Sequence, residues 1–146
     1  MEKSVKHKIA LHAPNLVNIC IDANENGIMS GRLYHCYAEE PWTFENVVQM
    51  IGIMENFFDN ICYPQASTQI RNFKCNKMKD CVALEKVKTQ DEIIKYRGCL
   101  GTFFTHVQYR QNSSWQGEVE WAEKGIVKCF QSELDFMKLL NGAMQR

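Results

Sequence analysis

The sequence predicts an α+β fold: two tandem βββα repeats, one helix per repeat, antiparallel sheet structure and a pseudo-twofold relation between the halves. Three observations predict it. Sliding the chain by 86 residues lays 17–58 over 103–144 without a gap, and fourteen of those 42 pairs are apolar in both copies. That is more than random pairing of a chain that is 45% apolar would give. The punctuation aligns as well: Gly31 falls on Gly117 and Phe44 on Phe130. Asn46 and Ser132 are both N-cap residues, followed three positions later by Gln49 and Asp135. Finally, each half passes from period-two alternation to a helical period at the same point.

The elements follow in order. Val17–Ala23 reads as a strand, and Asn24-Glu-Asn-Gly27 as a hairpin turn closed by Asn-Gly. Ile28–Tyr37 is the second strand. Ala38-Glu-Glu-Pro41 turns the chain into a short strand, Trp42–Phe44, and a helix covers roughly 46–59. In the second half, Phe103–Tyr109 alternates as a half-buried strand and Gln111–Ser114 supplies the turn. Trp115–Trp121 puts Trp115, Gly117, Val119 and Trp121 on one face and Glu118 and Glu120 on the other. Glu123-Lys-Gly125 turns into Ile126–Phe130, and a helix runs from Ser132 to about Met144. Gly31 and Gly117 interrupt strands, which marks a bulge or the close approach of another element. The expectation is that each helix crosses the sheet there. Cys36 and Cys129 read as strand residues packed under the helices.

The first repeat spans about 17–73, because Ser67–Phe73 alternates and reads as a further strand. A bridge follows at 74–100, in which Val82–Val87 reads as a strand and Asp91–Tyr96 as a short helix or a strand. The second repeat is about 101–146. One repeat alone buries too few apolar side chains to offset ordering costs of ~1–2 kcal/mol per residue. The two therefore share a core, and 1–146 is a single domain. The helix at 46–58 is apolar on more than one side, which suits a contact with the neighbouring repeat or a homodimer surface.

Composition narrows the function. The chain has 146 residues, 17 basic and 17 acidic, so its formal net charge is zero; a strongly basic nucleic-acid module is excluded. The N-terminus has no secretory h-region, and no stretch reaches a membrane span of about 20 apolar residues. Seven cysteines with irregular spacing read as free thiols of a cytoplasmic protein, and no paired Cys or His spacing suits a metal. No phosphate-binding glycine loop, nucleophile elbow or metalloprotease motif appears. Glu39 and Glu40 point opposite ways on an extended chain, and Glu118 with Glu120 reads as a solvated face. No catalytic residue, cofactor or metal is expected.

Two groups of residues remain as candidate contacts. Arg71, Lys74, Lys77 and Lys79 form the basic stretch, a surface for an anionic or protein partner and, in the alternative reading, for nucleic acid. Trp42, Trp115 and Trp121 are candidates for lining a small-molecule pocket between the repeats.

The strand, Asn-Gly turn, strand, turn, strand and capped helix of 17–73 is similar in layout to HicB-type antitoxin domains. It lacks their glycine- and proline-rich third-strand region, of which only Glu40-Pro41 remains, so no functional residues carry over. The phrases SGRLYHCYAEEPWTF and WQGEVEW…FQSELDFMKLL resemble small uncharacterised proteins of Gram-positive anaerobes, a resemblance that implies no activity. The expected function is a non-enzymatic, cytoplasmic protein-binding or regulatory module, its partner another protein or a second copy. The alternatives are a nucleic-acid-associated accessory protein and a small-molecule sensor.

Overall fold

Asn26 and Gly27 both take positive φ, 54° and 83°. That is the backbone of a two-residue hairpin whose twist matches its strands, and few residues other than Asn and Gly adopt it. This turn joins β1 (Val17–Glu25) to β2 (Ile28–Tyr34). A computed structural model describes residues 13–61, 63, 86–111 and 114–145. The elements that follow are β3 (Trp42–Phe44), α1 (Val47–Ile61), α2 (Gln90–Ile93), β4 (Gly101–Tyr109), β5 (Gln116–Trp121), β6 (Ile126–Phe130) and α3 (Glu133–Met144). The strands form one antiparallel six-stranded sheet in the order β3-β2-β1-β4-β5-β6. The fold is α+β.

Both long helices start where the cap residues place them. Asn46 Oδ1 accepts the Gln49 N–H at 2.7 Å, and the Gln49 side chain accepts the Glu45 N–H at 2.6 Å. Ser132 Oγ accepts the Asp135 N–H at 3.1 Å, and the Asp135 carboxylate accepts the Gln131 N–H at 3.2 Å. Each pair satisfies one donor that the helix itself leaves open and the N–H of the residue before the cap.

The two strand glycines sit opposite β-bulges. Gly31 pairs with Ile21, where β1 slips by one residue before Ala23; Gly117 pairs with Val107, where β4 slips before Tyr109. A Cβ on Gly31 would lie 1.9 Å from the Cys20 carbonyl oxygen, and one on Gly117 would lie 2.2 Å from that of His106. No side chain fits. The close approach is made by the neighbouring strand's backbone rather than by a crossing helix, which corrects the expectation for both glycines.

The two faces of the sheet are covered differently. One carries α1 and α3 over Val17, Ile19, Ile21, Leu33, Phe44, Phe103, Val107, Val119 and Phe130, with Trp115 between the helices. The other is crossed by residues 86–100. Asn18 is fully buried there, and its amide donates to the carbonyls of Ile93 (2.6 Å) and Tyr96 (3.0 Å). Tyr96 stacks on Tyr34 at 3.9 Å, and Ile93 closes a small cluster with Leu16, Cys20, Cys36 and Phe104. Of the alternatives for 91–96, the four-residue helix α2 forms, capped by Thr89.

Several details differ from the sequence reading. Cys36 lies beyond the end of β2, buried beside Ile93 of α2 on the face away from the long helices, and Cys129 is exposed; neither packs under α1 or α3. Glu120 is only 1% exposed, so Glu118 and Glu120 do not make a solvated face. Residues 86–88 are not strand. The rest of the segment read as Val82–Val87, and the strand at Ser67–Phe73, lie outside the described residues.

Candidate functional site

The alternation of β4, β5 and β6 points Phe103, Val119, Trp121, Ile126 and Lys128 toward α3. The period of α3 turns Lys138, Leu139, Gly142 and Ala143 back toward them. Between these nine residues lies an open cleft of about 300 Å³. Its floor is aromatic: Phe103 and Trp121 are stacked with ring centroids 5.9 Å apart. Apolar side chains make most of the rest of the wall. Lys128 and Lys138, both exposed, line it from the edge strand and from the helix. Among the described residues neither lysine meets a carboxylate within 4.0 Å. At ~30 Å³ per water-sized group, the cleft has room for about ten such groups.

The three tryptophans are not brought together. Trp121 lines the cleft. Trp115 is 2% exposed in the core, donating from its indole to Glu55 at 2.5 Å and touching Phe58 and Phe136 edge-on and tilted. Trp42 is 52% exposed on β3, at the opposite end of the sheet. The cleft lies under the second helix rather than between the halves. Arg71, Lys74, Lys77 and Lys79 lie outside the described residues. Lys128, Lys138, Phe103, Leu139, Gly142 and Ala143 escaped the sequence reading. One signal for them was present: the 86-residue offset lays Ala143 on Phe57, a small residue on a large one at a core-facing helical position.

Most other polar groups near the two faces are engaged in holding the fold. Arg32 forks onto Asp22 at 2.8 and 3.2 Å and also donates to the Tyr34 hydroxyl and the Arg97 carbonyl. Burial pushes the Asp22 carboxyl up. The Arg32 bond and the Cys99 backbone N–H (3.1 Å) outweigh this and hold it below the ordinary range. Arg110 is 4% exposed and reaches Glu55 (3.0 Å) and Asp59 (2.7 Å), tying the end of β4 to α1. Glu133 accepts from Ser114 Oγ and from the Trp115 N–H, and Glu123 accepts the Thr102 N–H at 2.5 Å. Burial raises the Cys20 thiol to about 12 and lowers His35 to about 4, so one stays a thiol and the other a neutral imidazole at pH 7. Among the described residues no three His, Cys, Asp or Glu side chains are placed to hold a metal. No described helix is long and apolar enough to cross a membrane.

No protein-family description, curated protein or solved structure matches this chain.

Proposed function

We propose that the protein is a non-enzymatic, cytoplasmic binding module built from two tandem βββα units, and that its ligand is a small, largely apolar molecule held in the cleft beneath α3. The observation that carries this is the cleft itself: an aromatic floor and a largely aliphatic wall, open to solvent beneath α3. Apolar surface left in water is unfavourable at roughly 25 cal/mol per Å², and a ligand that covers it recovers that energy.

The duplicated architecture is supported by the register. The offset that carries Gly31 to Gly117 also carries the bulged residue of β1, Asp22, to that of β4, Gln108. It carries Asn18 to Phe104, the residue it faces across the central strand pair. A twofold passing between β1 and β4 gives that self-pairing. The non-enzymatic part of the reading is supported by the use of the titratable side chains: Asp22, Glu55, Asp59, Glu123 and Glu133 each accept hydrogen bonds that secure the chain. The cytoplasmic part is supported by Cys20 and Cys36, which are buried as free thiols.

The test is thermal unfolding of the full chain against a panel of roughly ten-atom apolar compounds, neutral and charged. A compound at 100 times its dissociation constant stabilises by about 2.7 kcal/mol, which at this size raises Tm by roughly 5–10 °C. Ala143→Phe, which fills the cleft, abolishes the shift while leaving the circular dichroism spectrum unchanged. If no compound raises Tm, or the filled variant responds as fully as the parent, the reading is wrong.

A further inference from the structure

We infer that the cleft selects an amphiphile with a single anionic head, of the class of medium-chain carboxylates, whose tail lies on Phe103 and Trp121 and whose head sits at the mouth between Lys128 and Lys138. This rests on the cleft being a binding site. It adds the chemistry that such a site recognises.

Lys128 lies in the middle of β6, opposite Val119, on the face of the sheet that α3 covers. An edge strand turns a lysine outward or to its rim at no cost. Here Lys128, exposed, is one of the residues that line an apolar cleft. Lys138 stands on the facing helix, so the cleft is flanked by positive charge from two separate elements. Several other cations are differently placed. Arg32, Arg97 and Arg110 are each engaged with a carboxylate, and Lys124 lies 5.7 Å from the Trp121 ring centroid, over its face. Among the described residues Lys128 and Lys138 have no carboxylate within 4.0 Å.

Desolvation fixes the orientation. An anion pushed to the Phe103–Trp121 floor would lose its hydration among side chains that are mostly apolar. At the mouth it keeps part of its water and meets the two ammonium groups, whose aliphatic stems suit an apolar wall. The floor, conversely, is largely ring carbon and gives flat contact to methylenes or a ring. A chain of about eight carbons with a terminal carboxylate matches both ends and the volume. Exposed ion pairs contribute little individually, so the tail supplies most of the affinity and the lysines supply the choice among tails.

The experiment compares sodium octanoate, 1-octanol and octylammonium chloride by calorimetric titration of the full-length protein and of three variants. The parent binds octanoate about tenfold more tightly than octanol, and raising the salt concentration narrows the gap. Lys128→Met and Lys138→Met each weaken octanoate about fivefold and leave octanol unchanged. The double charge reversal, Lys128→Glu with Lys138→Glu, inverts the preference toward octylammonium. Both lysines are exposed, and octanol binding reports that each variant is folded with its cleft intact. Equal affinity for octanoate and octanol in the parent, or a preference unmoved by the lysine variants, overturns the charge selection and leaves the cleft reading standing. Failure of all three compounds to bind the parent overturns both.

Discussion

The two long helices cover opposite ends of one sheet face and finish the job differently. Under α1, Phe57 stacks on His35 with centroids 3.9 Å apart and planes 10° from parallel, with Tyr37 and Phe58 beside it. Under α3 the positions 86 residues on hold Ala143 and Trp121. Ala143 does not reach the sheet as Phe57 does, and Trp121 lies instead on Phe103. The small side chain at Ala143 is part of the wall of a cleft of about 300 Å³, where the α1 end carries the Phe57 ring. The helices are also held differently. Arg110 clamps α1 through Glu55 and Asp59, whereas the offset puts Asn24, Asn141 and Gln145 at the corresponding places. One end of the molecule is built for stability. The other gives up packing, which is the usual condition of a site.

Emptying the α1 end has the largest effect. Phe57→Ala removes a buried ring that touches His35, Tyr37 and Phe58. Substitutions of this kind cost about 3–4 kcal/mol, from lost transfer energy and a residual cavity, and here lower Tm by roughly 10 °C. The variant also gains a second apolar cleft, so octanol titration detects two sites instead of one. A loss below about 1 kcal/mol in denaturant unfolding means that the ring does not close this end.

Acid attacks the same stack. Burial lowers His35 from 6.5 to about 4 in the folded chain. Its Nδ1 accepts the Tyr37 N–H, which a protonated ring cannot do. The unfolded chain binds this proton more readily, so stability is fully present above pH 6.5 and is lost progressively down to about pH 4. That shift is worth about 3 kcal/mol. His106 is also lowered by burial, against the opposing field of Glu118, and it adds to the same trend. His35→Phe, keeping a ring on Phe57, flattens most of the slope in urea unfolding measured across pH 4–7. A slope that survives this change would assign the acid sensitivity to His106 instead.

The asymmetry explains what the sequence could show. Backbone decisions are local, and they were legible: the Asn26-Gly27 turn, the Asn46 and Ser132 caps, the strand at 103–109, the alternation of 115–121 and the helical period of 133–144 all lie where the residues put them, although β4 is buried on both faces rather than half-buried and bulges at Gln108. Gly31 and Gly117 announced close approaches, but which element approaches is a matter of register between distant strands, and that was not legible. Cys129 and Glu120 went wrong for a related reason. Alternation tells which residues share a face, but not what covers it, and the second face is crossed by 86–100, a segment with little periodicity. The cleft was hidden most deeply. It is lined by nine residues from β4, β5, β6 and α3, and a pocket is made by what is absent between elements rather than by a motif in any one of them. Trp42, Trp115 and Trp121 were chosen for their chemistry, and the sheet separates them.

The smallest effect sharpens the comparison of the two helices. Arg110→Met removes the guanidinium but keeps an unbranched side chain to lie near Phe58, over which the charge now sits at 5.8 Å. Glu55 and Asp59 are each nearly half exposed and return to water when the charge is gone. The cost is therefore about 2 kcal/mol, below that of stranding a fully buried partner. Its location matters more than its size. Native-state hydrogen exchange should show the amides of α1 better protected than those of α3 in the parent chain, because only α1 carries both the clamp and the filled stack. In Arg110→Met the protection of α1 falls toward that of α3, while α3 itself is unchanged. Equal protection of the two helices in the parent would mean that the clamp and the ring do not set their difference, and that the cleft is no looser than the packed end.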